Sequence, residues 1–355
     1  MNKTADKNQG YAPLSLGGQA LFLLFILFSG ASVALGVIPA VIGAVFAAAL
    51  LALLLLRGNV AVACLSAGVY AALVFLFAPT PVFVLSLGVV LGGGALARCV
   101  RGGEDRGTQT LTVSFILISA GAAAVLFSLY SGMVAAGKSD LLLYLREQMD
   151  GMVSATVTEY ENAMELALES LAATNPELAE SVKLSSHAEL NALFTQMYSF
   201  TPAFAVLFAA AFSILATYLL QLFSMLTDER GKKPLYSAEN RGFSLGVLLS
   251  VSYIVTYLVN LFWRDYASVI SLVLMNAQTV FIFLFAFGGL RYIPRILRGM
   301  RRLEGGRPTY IIWFVLFLLL CLCYLSHALF FLGMAHAISI LKNAIRPHRG
   351  TDKKG

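Results

Sequence analysis

The chain has 355 residues, 59% of them hydrophobic and only 12% charged, and its mean hydropathy is +0.80. Apolar runs of about 17 to 25 residues recur along it, the length at which a helix crosses a hydrocarbon layer about 30 Å thick, so an ordinary soluble domain and a disordered chain are excluded. The net charge of +6 would suit nucleic acid in a soluble protein, but here the basic residues cluster in the links between apolar runs, where they report topology and give no reason to expect a nucleic-acid partner.

The fold class expected is an all-α polytopic membrane protein with about ten transmembrane helices and a small acidic helical extracytoplasmic insert. The spans fall near residues 19–35, 39–56, 60–77, 80–97, 109–136, 202–226, 243–263, 267–290, 309–325 and 327–344. Residues 1–18 form a cytoplasmic tail, and 19–136 a Gly/Ala-rich bundle of five spans. The basic tail, the run LFLLFILF and the small residues SGASVA together have the layout of a signal peptide. No extended soluble stretch follows, because Pro39 opens the next apolar run, so a retained first span is expected. Gly43-xxx-Ala47, Gly88-xxx-Gly92 and the run Gly92-Gly93-Gly94-Ala95 allow backbones to approach, either within the chain or against another membrane subunit. Cys64, Cys99, Cys321 and Cys323 lie in or beside apolar runs and read as packing residues rather than metal ligands or disulfides.

Residues 137–200 break the pattern. They hold ten of the nineteen acidic residues against three basic ones. Val153, Val157, Tyr160, Met164, Leu168 and Leu171 recur at steps of three and four, one apolar stripe on a helix, while Glu161, Glu165 and Glu169 make a like-charged row on another face. Asn175-Pro176-Glu177 and the capping box Ser186 to Glu189 announce two further short helices. The insert is expected to be a cap over an outward-facing cavity, a docking surface for a basic partner, or a solvated connector. Without a D-x-D-x-D loop its carboxylates make a poor calcium site.

A second bundle of about five spans occupies 201–344, and 345–355 form a basic cytoplasmic tail. With both termini inside, 21 of the 25 Lys and Arg fall on the cytoplasmic side. Intramembrane carboxylates are not visible, so the candidate ligand-binding residues are neutral: Asn276, Gln278 and Thr279 on the eighth span, Asn260 and Tyr257 on the seventh, and Gln221 on the sixth. Their alternative role is interhelical hydrogen bonding. His327 and His336 are nine residues apart, about half a turn around a helix, and do not share a ligand by themselves. Arg291, Arg295, Arg298 and Arg302 follow steps of four, three and four, a stripe suited to anionic headgroups at the cytoplasmic leaflet or to a partner subunit. There is no P-loop, H-E-x-x-H, G-x-S-x-G or paired intramembrane aspartate, so no enzyme, cofactor or metal is expected.

From residue 36 to 349 a succession of pieces stands out: GVIPAVIG, LLRGN, LGVVLGGGALAR, the insert, SLGVLLSVSYIV, FLFAFGGLRYIPRIL and FFLGMAHAISILKNAIR. In this order they resemble the YybS-like integral membrane proteins of bacteria. Where such proteins carry an aspartate soon after the glycine of the last piece, this chain has Met334, Ala335 and His336. The amino-terminal part is also similar to the substrate-binding membrane subunits of energy-coupling-factor transporters. The resemblance implies the bacterial cell membrane and a solute-binding or transport-related component. The alternative is a non-catalytic accessory or scaffold protein of the envelope or division machinery.

Overall fold

Caps and glycines cut the apolar chain into helices, and the computed structural model describes residues 13–177, 186–227, 245–262, 269–289 and 325–345 of it. Ser15 accepts from the Gly18 amide to start α1, Leu16–Ala31, which a short 3-10 turn, Ser32–Leu35, extends. Gly36, at φ 114°, turns the chain into α2, Val37–Arg57. Asn59 caps α3, Val60–Phe77, by accepting from Ala61. Pro79 precedes α4, Thr80–Gly102, and Gly103 in the left-handed region ends it, its amide donating to the Val100 carbonyl. Asp105 then accepts from Thr108 at the start of α5, Arg106–Ala135.

Beyond it come α6, Leu141–Thr174, capped by Asp140, and α7, His187–Ser199. The remaining helices are α8, Thr201–Thr227; α9, Gly246–Phe262; α10, Val269–Gly289; and α11, Leu325–Ile345. Among the described residues, seven of these segments are long and apolar enough to cross a membrane, while Gly246–Phe262 and Leu329–Lys342 are shorter apolar helices. The expected span 309–325 lies outside the described residues, as do Cys321 and Cys323.

The chain divides into two compact units. In the larger, the described residues up to Ala122 and from Ala205 onward, α2 is the central element. Every side chain from Ala47 to Leu54 is buried, with α1, α3 and α4 packed around it. Large apolar side chains such as Phe28, Phe75, Leu76, Phe115 and Leu248 remain exposed, the surface that lipid rather than water would cover.

Hydrocarbon gives helices no hydrophobic reward for associating, so close packing has to supply it. The small-residue steps do this within the chain. Gly88 and Gly92 turn toward Ala120 and Val113 of α5, whereas a Cβ on Gly93 would lie 2.9 Å from the Ala48 carbonyl oxygen of α2. Next to it, Gly94 has nothing within 4 Å of the same position.

The smaller unit, Ala123–Phe204, has its own core of Val153, Val157 and Leu190, with Phe194 and Tyr198 packed on it. The Ser186 hydroxyl accepts from the Glu189 amide at 3.3 Å, and the Glu189 carboxylate accepts from the Ser186 amide at 2.8 Å, so the capping box stands as its spacing predicts. Of the predicted stripe, Val153 and Val157 reach the core, whereas Tyr160 is exposed and sets its ring edgewise on Phe194. Glu161 pairs with His187 at 2.9 Å.

Opposite effects are expected at the neighbouring glycines. Gly93→Ala should destabilise by about 1 to 3 kcal/mol through backbone overlap with α2. Gly94→Ala should be neutral or stabilising by up to about 1 kcal/mol, because it only removes helix-glycine entropy. Thermal midpoints of the two purified variants check the pair.

Candidate functional site

On α9, Ser250, Tyr253, Tyr257 and Asn260 follow steps of three, four and three, one face of the helix. Gln278, Phe281, Phe285 and Gly288 do the same on α10, as do Phe330, Gly333 and His336 on α11. The structure brings these three faces together. Tyr253 is fully buried, stacked on Phe285 with centroids 5.0 Å apart, and its hydroxyl donates to the Phe330 carbonyl at 3.5 Å. Tyr257 lies 4.6 Å from the Phe330 ring. Such offset and tilted aromatic contacts each add about 0.5 to 1.5 kcal/mol beyond area burial.

At one end of this aromatic column, Asn260 Nδ2 donates to Gln278 Oε1. Both side chains are half-buried, and a carboxamide carries two donor hydrogens and an acceptor oxygen, so the bond leaves donor and acceptor capacity on the pair. At the other end the His336 imidazole is wholly buried, 5.9 Å from Phe285. It lies where a side chain on residue 288 would stand, since a Cβ there would overlap its Cδ2 and Nε2. Gly288 is therefore the seat of His336. Gly333 is confined less tightly: a Cβ there would lie 3.2 Å from Phe285 Cβ and 3.3 Å from the Tyr253 hydroxyl.

The six sequence-predicted ligand residues do not share one place. Asn260, Tyr257 and Gln278 belong to this column. Asn276 and Thr279, two and one residues either side of Gln278, donate to the Leu272 and Met275 carbonyls of their own helix. Gln221 lies on α8, where it accepts from Arg106. Arg291, Arg295, Arg298 and Arg302 lie outside the described residues.

That second locus is a polar seam. Arg106, only 7% exposed at the start of α5, donates to Gln221 and holds its guanidinium 4.9 Å from the centre of the Tyr218 ring. Arg57, 4% exposed at the end of α2, donates to Thr227 at 3.2 Å and to the Ser224 carbonyl at 3.5 Å. Deeper in, Ser114 of α5 and Ser213 of α8 share a 3.0 Å bond. Reading Arg57 and Arg106 only as topological charges overlooks their burial. The available signal is position, because each sits at the junction of a span and a very short link. Among the described residues no group of three or more His, Cys, Asp or Glu comes together to hold a metal ion.

The chain belongs to a family described as predicted membrane protein (DUF2232), which matches residues 20–335. Neither the curated proteins nor the solved structures provide a match.

The seam's energetics are accessible to a double-mutant cycle. Arg106→Leu and Gln221→Leu should each destabilise, and their effects should fall short of additivity by about 0.5 to 3 kcal/mol if the two side chains act as one unit. Reversible unfolding in mixed micelles measures the coupling.

Proposed function

We propose, with membership of this membrane-protein family as the premise, that the chain is a non-catalytic, multi-pass solute-binding or transport-related component of the bacterial cell membrane. In this reading about ten helices cross the bilayer and both termini are cytoplasmic. The distribution of Lys and Arg supports that orientation, and energy coupling comes from a partner subunit. The likeness of the amino-terminal spans to substrate-binding subunits of energy-coupling-factor transporters points the same way.

The observation that carries the reading is the Asn260–Gln278 pair at the end of the aromatic column. Paired carboxamides beside Tyr257 and Phe330 offer edge hydrogen bonds and a stacking face, the recognition elements of a small, planar, polar solute. The solute class is therefore neutral and heteroaromatic, a nucleobase or a ring-containing vitamin.

The test is a thermal-shift screen of the purified protein against vitamins, nucleobases, amino acids and metal ions. Saturable stabilisation by one neutral heteroaromatic compound is expected. It should vanish in Gln278→Leu and Asn260→Leu, and it should persist in Asn276→Leu, whose side chain is bonded within its own helix. Stabilisation unchanged in the first two variants would remove the pair as a ligand site.

A second reading is favoured by the smaller unit, which folds on its own core under a strongly acidic surface. In that reading the protein is an accessory or scaffold component that meets a partner through residues 137–200. Deleting residues 150–198 should then abolish a partner crosslink while membrane insertion is kept. A crosslink that survives the deletion would end this version.

A further inference from the structure

Two packed helices of the smaller unit each expose apolar side chains along one strip. On α6, Met149, Met152, Thr156 and Glu159 follow steps of three, four and three, one strip of the helix. On α7, Glu189, Leu193 and Met197 are each one turn apart. The two helices that carry them are joined: the Thr156 hydroxyl shares a 2.9 Å bond with the Tyr198 hydroxyl, and Tyr160 meets Phe194 edge to face at 5.9 Å. Exposed apolar side chains lie on both helices beside this seam. Met152 is 55% and Met197 57% exposed, and Met149 and Leu193 are exposed beside them. Each strip also carries an exposed carboxylate, Glu159 on one side and Glu189 on the other.

We propose that these strips bound a groove that docks a basic amphipathic helix of a partner protein. Methionine side chains are flexible and polarisable, and they mould to the apolar face of an incoming helix at i, i+4 and i+7 spacing. The charge selects among the possible occupants. The unit holds ten acidic and three basic residues, so a second copy would bring like charge to like charge, and an anionic bilayer surface would be repelled in the same way. A helix whose polar face carries Lys or Arg fits both the apolar floor and the acidic rim. The inference rests on the accessory reading above and is independent of the solute site.

The test uses the full-length protein in zwitterionic nanodiscs, titrated with a labelled amphipathic Leu/Lys helix and with its Leu/Glu counterpart, empty nanodiscs being subtracted. Saturable binding of the Leu/Lys helix that weakens with rising salt is expected, with no comparable binding of the Leu/Glu helix. Met152→Glu combined with Met197→Glu should lower that affinity about tenfold or more, whereas Leu166→Glu, at an exposed apolar position off the groove, should not. The milder pair Met152→Ser and Met197→Ser is measured with circular dichroism, so that loss of binding with retained helicity separates docking from folding. Equal binding of both peptides, or undiminished affinity in folded groove variants, would overturn the proposal. If the groove variants keep a partner crosslink that deletion of residues 150–198 abolishes, the groove falls and the accessory reading stands. If the deletion leaves the crosslink intact, both fall.

Discussion

Close approach of helices is the constraint on which the rest of this protein depends. Hydrocarbon satisfies no backbone group and rewards no apolar burial, so each span closes its own hydrogen bonds and adheres to its neighbours by contact alone. The chain meets that requirement by removing side chains at chosen positions. Gly93 brings α4 against the α2 backbone, Gly88 admits Ala120 of α5, and Gly288 makes room for the His336 ring. Where the backbone is thus fixed, the aromatic column of Tyr253, Phe281, Phe285 and Phe330 takes one arrangement.

Some polar side chains, such as Asn276 and Thr279, bond to their own helix, and others are satisfied by two helices together. Asn260 with Gln278, Ser114 with Ser213, and Arg106 with Gln221 each join one helix to another. They differ in what they leave over. The serine bond is buried and self-contained, and the arginine is held by a carboxamide and an aromatic face. The amide pair alone combines half-exposure with residual donors and acceptors beside stacking surfaces, which is why it carries the functional reading.

Local rules were legible in the chain, and tertiary pairings were not. The Ser186–Glu189 capping box and the Val153–Val157 stripe depend on residues three or four apart, so spacing alone places them. The glycine steps were equally visible, but which neighbour each would meet was not: Gly92 and Gly93 are consecutive and face different helices. For the same reason the polar residues of α10 could be listed as a group while Gln278 and Asn276 point to different partners. Arg57 and Arg106 looked like loop charges because their partners on α8 are 167 to 170 and 115 residues distant. The family match over residues 20–335 agrees with the expectation of an integral membrane protein and does not extend to the YybS-like or energy-coupling-factor resemblance.

The enclosure of α2 has a consequence for biosynthesis. A helix surrounded by α1, α3 and α4 cannot meet α3 and α4 until those later spans have left the ribosome, so it must first reside in lipid with only α1 beside it. Its buried stretch, Ala47 to Leu54, is made only of alanine and leucine. Leucine makes such a segment apolar enough to partition on its own, and alanine keeps it slender enough to be surrounded afterwards. The same eight residues thus serve two successive environments, first acyl chains and then protein, without a polar atom outside the backbone that would have to change partners between them.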